Sequence, residues 1–176
     1  PYLICTFYPD KKLLNNNPVK LVSTFHTSHI TGVTLPIKEM VSIAHSHGAL
    51  FLLDAAQSLA HTNIDVTDLD VDFVGFSFHK AFGPTGIGGL YGKKHLLEKF
   101  APLIIGGESV DDANYADCTL SALPNRLEAG LQNYAGAIGA ATAMSYIQSL
   151  GFKSITKHER ELNEFISQEL MSFNGL

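Results

Sequence analysis

The stretch "ALFLLDA", residues 49 to 55, is apolar almost without interruption and closes on Asp54. A strand with one wet face alternates apolar and polar residues, whereas a continuous apolar run is expected where both faces are covered, as in parallel sheets. A second run of this kind, "VDFVGFS" at 71 to 77, leads into Phe78, His79 and Lys80. The segment from Ala55 to Val71 exceeds the dozen or so residues that a parallel crossover needs.

Working outward, "VKLVSTF" at 19 to 25 is short, apolar and β-branched, and reads as another strand. In "PIKEMVSIAHSHG", Ile37, Met40, Val41 and Ala44 fall at helical spacing, with Pro36 at the first turn and Gly48 past the end. "IGGLYG" at 87 to 92 follows Ser77 so closely that an antiparallel return is expected. The polar "VDDANYADC" reads as a mobile loop, and "NNN" at 15 to 17 as a turn. Two helices close the chain. The first lies over 133 to 150, and the second carries a stripe of Ile155, Leu162, Ile166, Leu170 and Phe173. The fold class is α/β: one domain over residues 1–176 with an open, mostly parallel sheet and helices on both faces.

Composition narrows the function. A hydrophobic share of 45% in 176 residues is enough for a core. A net charge of −5 with scattered lysines and arginines lacks the footprint of a nucleic-acid binder. No run reaches the roughly 18 apolar residues of a membrane span, and the first residues do not read as a secretion leader. Cys5 and Cys118 form no disulfide framework, which fits the cytoplasm. The start without methionine and the end at Leu176, in what reads as a helix just finishing, suggest a piece of a longer protein.

In open α/β sheets ligands bind beyond the carboxyl ends of the strands. The polar residues there are Asp54, Gln57, Ser77, His79 and Lys80. If 77 to 80 stay extended, Ser77 and His79 point to one side and Lys80 to the other. A lone strand-end aspartate is ordinarily a cap or a turn, and a lone lysine is ordinarily solvated. His79 could be a satisfied core histidine, and Gln57 a residue at a helix start. Lys80, however, follows an apolar strand and precedes the glycine-rich "AFGPTGIGG". Partly dehydrated surroundings are expected there, which favour a neutral amine that attacks a carbonyl.

Four motifs in order, "HTSHITGVTLPI" (26 to 37), "LLDAAQ" (52 to 57), "SFHKAFGPTGIGGLYGKK" (77 to 94) and "RLEAG" (126 to 130), resemble the class V aminotransferases, among them most of all cysteine desulfurases and selenocysteine lyases. The resemblance runs from about residue 10 onward. It implies a fold type I large domain that takes pyridoxal 5'-phosphate, an amino-acid substrate, a homodimer in the full-length protein and, in desulfurases, a sulfur-acceptor protein. It implies that Lys80 holds the cofactor as a Schiff base and then moves the substrate proton. It further implies that Asp54 pairs with the pyridine nitrogen, Gln57 bonds the phenolic oxygen, and Ser77 and His79 hold the phosphate. Asp54 would keep the ring protonated and so a better electron sink.

Two positions depart from the family pattern. His29 stands where the family has an asparagine, and Leu131 where it has a phosphate-binding threonine. In the family an upstream segment supplies a stacking histidine, and a downstream small domain supplies a substrate-binding arginine and the persulfide cysteine, which neither Cys5 nor Cys118 matches. The chain is therefore expected to be a partial large domain, inactive alone. Transamination, epimerisation and kynureninase-like cleavage remain open, as does a binding module of the same fold without catalysis. A phosphate loop in "GPTGIGG" lacks GK[ST]. Metal sites at His26 and His29 or at His45 and His47 lack completing ligands, so none is expected.

Overall fold

The computed structural model describes residues 2–5 and 11–173. Its strands are β1 (Tyr2–Cys5), β2 (Val19–Phe25), β3 (Leu50–Asp54), β4 (Phe73–Ser77), β5 (Gly88–Gly92), β6 (Val110–Ala113) and β7 (Cys118–Leu120). The helices are α1 (Lys11–Asn16), α2 (Ile37–Ser46), α3 (Val66–Leu69), α4 (Lys94–Leu97), α5 (Tyr134–Leu150) and α6 (Phe152–Met171). Strands β1 to β5 form one sheet in sequence order. The first three pairings are parallel, and β4 with β5 is antiparallel. The open, mostly parallel sheet and the antiparallel return at 87 to 92 are as the sequence indicates.

Residues in register across neighbouring strands share a face. One face carries Val22, Phe51, Leu53 and Val74, all buried, and α2 packs on it through Ile37, Met40, Val41 and Ala44. Pro36 opens α2 and the left-handed Gly48 (φ 73°) follows it, as the sequence signals require. The other face carries the row Phe25, Asp54, Gly75 and Leu90 across four strands. At the carboxyl ends of the strands, Ile147 of α5 packs with Ala60 and Ala81, joined by Phe152 and Ile155 of α6.

At the opposite, amino-terminal end an ionic knot ties the strands together. Asp72, 3% exposed, accepts from the Phe51 amide at 2.7 Å and lies 2.8 Å from His45 Nε2 and 2.9 Å from Lys93 Nζ. Burial opposes its charge, yet hydrogen bonds from His45, Lys93 and Phe51 outweigh it and hold the carboxyl below the ordinary aspartate range. Lys93 also bonds Asp70 at 2.7 Å. Burial works against the ammonium, but its two carboxylate partners push its pKa above the usual lysine value.

Several expectations are corrected. The stretch expected to be a mobile loop forms the β6–β7 hairpin. Asn114 builds its turn, with Oδ1 accepting from the Ala116 and Asp117 amides at 2.8 and 3.0 Å. The first two asparagines of the expected turn at 15 to 17 close α1 instead, and Asn17 Nδ2 donates back to the Leu13 carbonyl. Leu162, Ile166 and Leu170 of α6, and Phe173 just past its end, are exposed, so among the described residues nothing covers that stretch of the stripe. Residues 1, 6–10 and 174–176, which enter the readings of the two ends, lie outside the described residues.

Candidate active site

Asp54 ends β3, exposed, at the carboxyl edge of the sheet. One oxygen, Oδ1, accepts from the Ala56 amide at 2.8 Å, a local turn that begins the crossover. The turn interpretation of this aspartate is thus met, and its second oxygen has no partner among the described residues. Beside it in register stands Gly75, where a Cβ would meet no atom within 4 Å. The sheet is therefore open next to the carboxylate. Ser77 lies two residues further along β4 and so on the same face.

Residues 77 to 80 do not stay extended. Phe78, His79 and Lys80 make one 3-10 turn, closed by the Ala81 and Gly83 amides donating to the Phe78 carbonyl at 2.8 and 2.9 Å. A Cβ at Gly83 would sit 2.7 Å from Phe78 Cβ, so only glycine lets the loop fold back this tightly. The turn displaces Lys80 from the position that a period of two would give it. His79 and Lys80 are both exposed, which corrects the dehydrated surroundings expected of Lys80 and leaves His79 outside any core. Among the described residues Lys80 makes no hydrogen bond or ion pair.

Lys80 lines a cavity of about 400 Å³ with Ala60, Phe82, Leu150 and Ile155, and with His61, His158 and Glu159. Phe82 holds a left-handed backbone at φ 59° and meets Tyr146 edge-on, with ring centroids 5.5 Å apart. Gln57 is half-buried in a neighbouring pocket of about 520 Å³, beside His26, Thr27, Ser28 and His29. His61 and Glu159 line both spaces, their Nδ1 and Oε1 hydrogen-bonded to each other. Asp54 lines neither.

Behind Gln57, His26 Nδ1 meets Ser58 Oγ at 2.8 Å and Thr27 Oγ1 at 3.0 Å, and Thr27 Oγ1 meets Thr34 Oγ1 at 3.0 Å. Burial pushes the His26 imidazole below its usual pKa. His29 is exposed on the same pocket and Leu131 is exposed elsewhere. Among the described residues no three histidine, cysteine or carboxylate groups are placed to hold a metal. No helix is long and apolar enough to cross a membrane, again among the described residues.

The structure thus brings His79 and Lys80 into one turn directly after Ser77, and sets Asp54 beside an open strand position on the face Ser77 shares. It puts Gln57 in a separate pocket. The His61–Glu159 contact, 98 residues apart in sequence, is a feature the sequence reading missed. No local motif announces a pair at that distance.

The family profile described as Aminotransferase class-V matches residues 5–176. The chain is 45% identical over 157 residues to a protein of Halalkalibacterium halodurans named "Probable cysteine desulfurase", covering 89% of this chain and 39% of that one. The crystal structure of the cysteine desulfurase CsdA from Escherichia coli superposes with a TM-score of 0.89 at 35% identity, over 95% of this chain and 43% of the other. A C-DES variant described with glycine covalently linked to its PLP cofactor gives a TM-score of 0.79 at 27% identity, over 91% and 44%. The chain spans about two fifths of the length of the curated relatives it matches.

Proposed function

The chain belongs to the aminotransferase class-V family, and from that premise we propose that it is part of a pyridoxal-phosphate-dependent enzyme acting on an amino acid, of the cysteine desulfurase or selenocysteine lyase type. The observation that carries this reading is the amine of Lys80, unpaired among the described residues and one turn beyond the strand whose Gly75 leaves the space beside Asp54 open. The donor set fits the cofactor. It includes a carboxylate for a protonated ring nitrogen, an amide for a phenolic oxygen, a hydroxyl and an imidazole for a phosphate, and an amine for an aldehyde.

In this reading Asp54 would pair with the ring nitrogen and favour its charged form, while Gln57 would donate to the phenolic oxygen. Ser77 and His79 anchor the anionic end. Lys80 would hold the cofactor through its amine and would move the proton at the substrate's α-carbon. When bound, pyridoxal phosphate supplies an electron sink that no protein side chain provides. The names of the relatives support the desulfurase type over other class-V activities.

The same proposal makes the chain a portion of the large domain of a cytoplasmic homodimer that passes sulfur to an acceptor protein, with residues beyond this chain completing the site. The test is incubation with pyridoxal phosphate, borohydride reduction and peptide mass mapping. An adduct fixed on Lys80 and lost in Lys80→Arg is the expected result. A Lys80 left unmodified, both in this chain and in any longer protein carrying it, would reduce the proposal to a binding module of the same fold.

A further inference from the structure

Lys80 and Gln57 line neighbouring spaces, and of the described residues lining either one, His61 and Glu159 alone line both. The pair also anchors the loop that carries Gln57. On the strand side that loop is held by the buried Ser58, whose Oγ lies 2.8 Å from His26 Nδ1 and 3.1 Å from Thr27 Oγ1. On the helix side it is held by His61, whose Nδ1 bonds Glu159 Oε1 and whose carbonyl accepts from Thr156 Oγ1 at 3.4 Å. Gln57 itself makes no hydrogen bond among the described residues. An amide without a partner points where the walls of its pocket let it, and His61, Thr156 and Glu159 are among those walls. We propose that His61 and Glu159 are positioning residues, which fix the Gln57 amide relative to the Lys80 amine so that one ligand can meet both. This rests on the reading that both groups hold the same cofactor.

A role in folding alone does not account for the pair. Its side chains are 49% and 43% exposed, and a contact so open to water adds little to global stability. What it closes is local. The loop turns back on itself through the His61 and Thr62 amides, which both donate to the Ser58 carbonyl at 3.0 Å. Without Glu159 the loop keeps the packing of Ala60 in its cluster with Ile147, and loses the shorter of its hydrogen bonds to α6. The backbone then stays roughly placed, while the boundary of both spaces becomes free to move. An amide N–H donated to the cofactor's phenolic oxygen favours the form in which that oxygen is negative. A misdirected Gln57 therefore raises the pH at which that form appears.

The experiment loads the whole chain with pyridoxal phosphate and follows the bound cofactor's absorption against pH. Gln57→Ala is expected to raise the midpoint by about one pH unit, a tenfold change in the proton equilibrium. Glu159→Ala and His61→Ala are each expected to raise it by about half as much, and to add nothing when combined with Gln57→Ala. Loss of the Glu159 charge by itself would lower the midpoint, so the direction separates positioning from plain electrostatics. Glu159→Gln offers His61 an oxygen in the same place and should remove the rise. A midpoint unmoved or lowered in Glu159→Ala, or a rise that persists in the Gln57→Ala background, overturns the proposal. Amide exchange over residues 55–62 without cofactor reads the anchor by itself. It is expected to run about threefold faster in Glu159→Ala and to be restored in Glu159→Gln, and unchanged exchange overturns the proposal. An exchange difference with no borohydride-fixed adduct at Lys80 leaves the anchor standing and overturns the enzymatic reading instead.

Discussion

Asp54 and Gly75 stand in register across the β3–β4 pairing, and the glycine leaves the space above it empty. A side chain at 75 would stand beside the carboxylate and fill that space. Gly75→Val meets no clash and suits a strand, so folding stability is expected to stay within about 1 kcal/mol. Retention of pyridoxal phosphate is expected to fall at least about tenfold, equivalent to about 1.4 kcal/mol. Urea midpoints beside borohydride-fixed adduct yields measure the two effects separately.

Asp54→Asn keeps an oxygen for the Ala56 amide, so the local turn survives. What it removes is charge. An opposite charge at about 4 Å gains roughly 1 kcal/mol in water and about 4 kcal/mol at an intermediate dielectric. The exposed Asp54 lies between these limits, and cofactor affinity is expected to drop by about tenfold or more. Fluorescence titration of the bound cofactor checks it; unchanged affinity would remove Asp54 from the ring nitrogen.

Gly83→Ala places a Cβ 2.7 Å from Phe78 Cβ and 2.9 Å from the Phe78 carbonyl oxygen. Backbone cannot yield as a flexible side chain does, so the turn carrying His79 and Lys80 must shift. A destabilisation of about 1–3 kcal/mol is expected, together with a changed labelling rate at Lys80. Thermal melts and lysine mapping on the same sample test both.

The knot around Asp72 sets the pH range of stability. Its carboxyl titrates below the ordinary aspartate value, so its contribution is complete above that value and is lost as pH falls through the folded pKa. Lys93 titrates above the usual lysine value, and its contribution is lost only as pH rises through that raised pKa. Asp72→Asn leaves Lys93 and His45 without a buried counter-charge and is expected to cost about 3–5 kcal/mol at neutral pH. The acid limb of a urea midpoint against pH should flatten in that variant.

Much of the sheet was legible because parallel strands carry their burial in the sequence as uninterrupted apolar runs. The run at 19–25 coincides with β2, and the runs at 49–55 and 71–77 enclose β3 and β4. The β6–β7 hairpin was not legible. Its strands are polar, and their pairing depends on the Asn114 side chain and on Ser121 Oγ donating to Asp111 Oδ1 at 2.6 Å. At the site, the order of Ser77, His79 and Lys80 was plain, but their directions were not. A 3-10 turn replaced the extended backbone because Phe78 accepts two amides from a glycine-rich loop. The meeting of His61 with Glu159 needs α6 to be laid across the crossover, which only tertiary packing specifies.

A single left-handed residue, Gly151 at φ 76°, ends α5 and begins α6. It acts as a pivot with a long arm, since a helix of 20 residues extends about 30 Å. A tilt of about five degrees there would carry the Met171 end through roughly 2–3 Å, yet move Ile155, about 6 Å from the joint, by only about half an ångström. The wall beside the reactive amine thus lies at the still end of the arm, where displacements of the distant end arrive greatly reduced.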